Sequence, residues 1–190
     1  MWLIVPCLLI LLVAIHGDVY GQRGRWGADG PPLPSTLKEM TGRGTELIVE
    51  VTVESVFPSI EVSGTPTTDA IMDVRRVLKG QSPGQRLTVA QLGGTLNGQT
   101  ELPPNYSLMK PGERYVLFLR NLGPNAVARG VYPDRGVPRF EVIRYQTIIR
   151  IDADLVRLHP GLKFRDQYEG RNSEEVIKEI LGYVSVTPAR

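Results

Sequence analysis

Residues 110–121, KPGERYVLFLRN, constrain this chain more than any other stretch. A Pro-Gly turn at 111–112 precedes Glu113 and Arg114, and then Tyr115, Val116, Leu117, Phe118 and Leu119 run without a polar break. In an extended strand Tyr115, Leu117 and Leu119 project to one side, with Val116 and Phe118 on the other. A strand apolar on both sides must be covered on both, so these residues predict a central strand with a layer against each face.

The surrounding pattern is mainly β. Ser35 or Thr36 can cap a short helix through Met40, with Leu37 and Met40 on one face and Gly42 or Gly44 ending it. Leu47, Val49, Val51 and Val53 then alternate with Glu50, Thr52 and Glu54, which predicts a half-buried strand with its acids in water. Two prolines and a glycine between 57 and 69 predict an irregular loop or weak edge. Met72 and Val74 begin a strand with which Val77 and Leu78 are out of step, and a bulge near Arg75 or Arg76 restores the phase. Leu87 and Val89 share one face of the next strand, Ala90 and Leu92 the other.

Gly93-Gly94 lacks the Lys-Ser or Lys-Thr of a phosphate loop, and Asn97-Gly98 reads as a tight turn. Further turns are expected at 123–124 and 134–136. Residues 140–151 predict one long bent strand or a hairpin turning near Tyr145. Over 172–181 Asn172 can cap an amphipathic helix, with Glu175 reaching back; Val176, Ile177, Ile180, Leu181 and Val184 share a face and Gly182 is the expected stop.

Residues 1–15 are almost continuously apolar but shorter than a membrane-spanning helix needs, and Val19-Tyr20-Gly21 offers small residues for a cut before Gln22. A cleaved signal over 1–21 is expected, with an uncleaved anchor as the alternative. A Gly-, Pro- and Arg-rich spacer follows over 22–34, then one domain over 35–190. This places the protein outside the cell or in the periplasm or envelope, touching a membrane only through its export segment. The one cysteine, Cys7, lies within the apolar run, so the exported chain has no thiol for disulfides, metal binding or nucleophilic catalysis. Losing Asp18 with the signal raises the net charge from +2 by one unit. The basic residues are scattered, which argues against nucleic acid as a partner.

A short helix before 47–53, then VRRVLKG at 74–80, LTVAQLGG at 87–94 and PGERYVLFL at 111–119, occur in an order that resembles a group of small exported bacterial proteins. These carry an OB-fold-like barrel similar to that of tissue inhibitors of metalloproteinases. The resemblance implies a five- to six-stranded barrel with a short N-terminal helix and a C-terminal amphipathic helix. It implies no activity, because those inhibitors bind a protease zinc through an N-terminal Cys that the exported chain lacks.

Catalytic groups are few. His159, before Pro160, is the one histidine of the exported chain, and no Gly-x-Ser-x-Gly turn presents a nucleophile. Asp152 and Asp154, two apart, would project from one face of a strand and are weak candidates for a hard cation; Asp69 and Asp73 are weaker. No cofactor is expected. Arg75, Arg76, Arg114 and Arg120, with Tyr106 and Tyr132, are the candidate binding residues, since an OB-type strand face binds oligomers through cations and aromatic rings. Tyr115 and Phe140 read as core. These residues together predict a non-catalytic module that contacts an envelope protein, a peptide or a glycan. The alternatives are a hydrolase using His159 with nearby acids, and a protease inhibitor acting through a loop such as 93–104.

Overall fold

Tyr115 to Leu119 and the alternation of 47–53 form two adjacent antiparallel strands at the centre of the sheet, with Val51 opposite Tyr115 and Leu47 opposite Leu119. The computed structural model describes residues 32–42, 44–62, 64–81, 84–121 and 139–186. The expected export segment over 1–21, Cys7, the expected spacer up to residue 31, the turns at 123–124 and 134–136 and Tyr132 lie outside the described residues.

In chain order the elements are α1 (Leu37–Met40), β1 (Leu47–Val56), β2 (Ile60–Val62), β3 (Thr65–Lys79), β4 (Arg86–Leu92), β5 (Gly94–Leu96), β6 (Gln99–Glu101), β7 (Arg114–Asn121), β8 (Arg139–Val142), β9 (Ile149–Asp152), β10 (Leu155–Arg157), α2 (Arg165–Tyr168) and α3 (Ser173–Val186). β1 pairs antiparallel with β3 and β7, β3 with β4, and β7 with β8; β4 and β8 are parallel. These pairings make a hydrogen-bonded ring of five strands, extended at one edge by β9 and β10.

The two faces of β7 carry two apolar layers. Tyr115, Leu117 and Leu119 point into the ring against Val49, Val51, Leu87, Val89 and Phe140. Val116 and Phe118 face outward with Ile48, under Leu37 and Met40 of α1 and Val176, Ile177 and Ile180 of α3. Thr36 caps α1, its hydroxyl accepting from the Glu39 N–H, as expected. Residues 87–92 follow their expected alternation, with Leu87 and Val89 buried and Leu92 exposed.

The structure departs from the sequence pattern in several places. Of the irregular loop or weak edge expected over 57–69, the structure has the edge: β2 is a three-residue strand that pairs with the start of β3 in a hairpin, placing Ile60 opposite Thr67. Pro66 is tolerated because β3 borders a short edge strand there. Residues 140–151 form neither one strand nor a hairpin. β8 and β9 lie along the same edge of β7, with Val142 opposite Leu119 and Ile149 opposite Val116. The surplus residues between them loop out through a 3-10 turn at Tyr145–Thr147. α3 runs through Gly182 to Val186, since a helix interior tolerates glycine at about 1 kcal/mol and Tyr183 and Val184 still pack on the core. Leu181 is exposed, off the buried face. Asn172 does cap the helix, accepting the Glu174 N–H, but Glu175 pairs with Arg171.

Two motif glycines have packing reasons. Gly80 closes β3 at φ +83°, where an added Cβ would lie 2.3 Å from the Glu46 carbonyl oxygen. At Gly94 a Cβ would lie 2.0 Å from the Ser59 hydroxyl, which hydrogen-bonds Thr68 and accepts from the Thr95 N–H. Asn97 and Gly98, both at positive φ, form the β5–β6 turn, as their residue types predict.

Phe118 is buried to within 1% of its surface at the junction of strand and helices. Phe118→Ala is expected to lower unfolding stability by about 3–5 kcal/mol in urea titrations, while Leu92→Ala stays within about 0.5 kcal/mol.

Candidate functional site

Adjacent residues on a strand point to opposite faces, yet Arg75 and Arg76 both reach the same carboxylate. The register explains this. Glu50 opposes Arg76 and Val51 opposes Val74, which leaves Arg75 as the extra residue of a bulge at the expected position. Both side chains therefore emerge on the outer face of the ring, while Val74 and Val77 stay inside.

The carboxylate they reach belongs to Glu50, and here the structure overturns the expectation that the acids of β1 face water. Glu50 is 2% exposed. Arg76 donates from Nε and Nη2 to its Oε2 at 3.1 and 2.8 Å, and Arg114 donates from Nη2 to its Oε1 at 2.8 Å. Arg75 Nε stands 3.6 Å from the same Oε1. Burial alone would raise the Glu50 pKa, but the hydrogen bonds from Arg114 and Arg76 and their charge bring it below the ordinary value of 4.5.

Two exposed acids close the outer side. Glu174, in the first turn of α3, accepts a two-pronged pair from Arg76, Nη2 to Oε1 at 2.6 Å and Nη1 to Oε2 at 3.0 Å. Asp154 accepts from Arg114 Nη1 at 2.7 Å. It does so from the β9–β10 turn, where Ala153 and Asp154 both have positive φ. Glu50, Arg75, Arg76, Arg114 and Glu174 line an open depression of about 380 Å3.

The other sequence candidates lie elsewhere. Arg120 forms a cross-strand ion pair with Glu141. Tyr106 donates to Gln91 Oε1 at 3.0 Å and packs edge-on to Tyr145, and burial raises its phenol pKa. Asp154 sits in a turn and not on a strand, and Asp152 faces Arg157 at 3.8 Å, so the two carboxylates serve different arginines. Asp69 is buried against Arg139 at 2.8 Å. Among the described residues no group of three or more His, Asp and Glu gathers as a metal site. His159 accepts the Gly161 N–H on Nδ1, lies 3.4 Å from the Pro104 carbonyl through Nε2, and packs edge-on to Tyr145. Neither Asp152 nor Asp154 is among its partners.

No family model matches this chain, and no curated protein does either.

Glu50 is the residue that sequence reasoning misses. The available signal is Ile48: it shares the outer face of β1 with Glu50, and an apolar side chain there means that the face is covered.

Because the folded pKa of Glu50 lies below 4.5, its ionised form stabilises the fold at any pH above that value, and the contribution is lost as pH falls through the folded pKa. Glu50→Gln should flatten the acid limb of a stability-against-pH curve. Glu174, lowered by hydrogen bonds from Arg76, retains part of the slope. At pH 7 Glu50→Ala is expected to cost about 3 kcal/mol in urea unfolding, against less than about 0.5 kcal/mol for the exposed Glu54→Ala.

Proposed function

We propose that this protein is an exported, non-catalytic binding module built on an OB-fold-like barrel, and that it meets a partner through the outer face carrying Arg75, Arg76 and Arg114. The ring order, with one parallel pair among antiparallel ones, supports the barrel reading. The apolar start of the chain, followed by small residues, supports export.

One observation carries the binding reading. A bulge and a neighbouring strand bring three guanidinium groups to one open depression, where the outer edges of two are held by exposed carboxylates, Glu174 and Asp154. Guanidinium forks match carboxylate and sulfate or phosphate groups, so a partner with such groups can exchange with the two acids. Acidic segments of an envelope protein or peptide, and glycans bearing uronate or sulfate, have this chemistry. Arg75 is half exposed and, among the described residues, makes only the longer 3.6 Å contact, which leaves it the most accessible of the three.

The test is affinity capture of the tagged chain from its native envelope fraction, with Arg75→Glu run in parallel. A partner enriched on the natural chain and lost on the variant supports the reading, and its recovery should fall as salt rises from about 50 to 500 mM. Equal recovery on both chains, or none on either, overturns the assignment of the arginine face.

A further inference from the structure

A second cationic position, independent of the arginine face, lies between α1, β7 and the 3-10 turn. Met40, Phe118 and Ile143 wall a cavity of about 230 Å3, with Pro34 and Thr147 beside them and Arg144 and Glu39 supplying its charged groups. Met40, Phe118 and Thr147 are buried, so these walls belong to the packed body.

Arg144 differs from the arginines described so far. Its carbonyl accepts from the Thr147 hydroxyl at 2.7 Å, and its backbone is extended as it enters the turn. The residue is half-buried, and among the described residues its guanidinium has neither a hydrogen-bond nor an ion-pair partner. A cation partly withdrawn from water loses hydration that a counter-charge ordinarily offsets. Glu39, the acid of the same cavity, turns its Oε2 back to the Ser35 N–H at 2.7 Å.

We infer that this cavity binds a small carboxylate carrying a compact apolar body, with the carboxylate on Arg144 and the body against Pro34 and Ile143, over a floor of Met40 and Phe118. A guanidinium presents parallel N–H donors to a carboxylate, and the accessible apolar part of the lining, Pro34 and Ile143, rewards a branched or aromatic body over a hydrated one. The volume is below the roughly 300–1,000 Å3 of pockets for drug-sized ligands, which limits the ligand to a single side-chain-sized group. A free acid, an amino acid and the C-terminus of a peptide all present this chemistry. Glu39 distinguishes among them, because only a ligand with an ammonium group gains from it.

The experiment follows amide chemical shifts of the full exported chain during titration with 4-methylpentanoate, with leucine and with a short peptide ending in leucine. The corresponding alcohol and the C-terminally amidated peptide are the controls. Saturable shifts confined to residues around 143–147 and 39–40, absent with the controls, are expected from at least one probe. The tightest probe names the source. Arg144→Gln should weaken that binding about tenfold or more with unchanged thermal melting, and Arg144→Lys should fall between. No saturable shift from any of the three probes at millimolar concentration overturns the inference, as does binding that Arg144→Gln leaves intact.

Discussion

A carboxylate buried in the middle of a strand must be answered by positive charge, and the outer half of this molecule is arranged around that requirement at Glu50. Three elements distant in sequence meet it: the bulged pair Arg75-Arg76, Arg114 at the start of β7, and through Arg76 the first turn of α3 at Glu174. The helix is thereby fixed at its beginning by charge and along its length by Val176, Ile177 and Ile180. Apolar contact alone permits sliding, whereas a forked ion pair accepts one geometry. The network contributes to the placement of α3 as much as to stability, since the desolvation of Glu50 offsets much of its Coulomb gain.

Inside the ring the organising constraint is different. β7 divides the apolar residues into an interior set and an outer set, and a single strand thus belongs to both cores. Substitutions on its odd and even positions act on different layers, with Leu117 felt by the ring and Phe118 by the helices. Each layer depends on the other for its backbone. Such sharing makes separate melting of helix and sheet unfavourable, because exposing either face of β7 strips packing from the other.

The central strand, the alternation of β1, the β3 bulge, the α1 cap and the Asn97-Gly98 turn were legible because each rests on local period or backbone preference. What escaped depended on tertiary cover. Glu54 follows the expected wet pattern, but Glu50 does not and the Thr52 hydroxyl is also withdrawn from water, since whether a face is wet is decided by where α3 lands more than 100 residues later. The β2–β3 hairpin was hidden by Pro66, a breaker in the abstract that is harmless where its edge faces a short strand. Of the candidate binding residues, Arg75, Arg76 and Arg114 come together whereas Arg120 and Tyr106 stand apart, because strand order, and not chain order, decides which cations share a face. His159 looked chemically eligible only in isolation; its ring is occupied by its own loop and by Tyr145.

The looped-out segment between β8 and β9 also bears on how this fold can change. Pairing with β7 resumes on either side of it, while Tyr145 packs on the inner core and Thr147 is buried, so the excursion is seated at those two residues. Ile143, Arg144 and Thr147, all from this excursion, nevertheless form one side of the cavity beside α1. The cavity thus shares Met40, Phe118 and Thr147 with the packed body, whereas the charge of Arg144 is not part of that packing. A lineage could recharge position 144, and so exchange one small ligand for another, while Tyr145 and Thr147 kept the excursion seated on the ring.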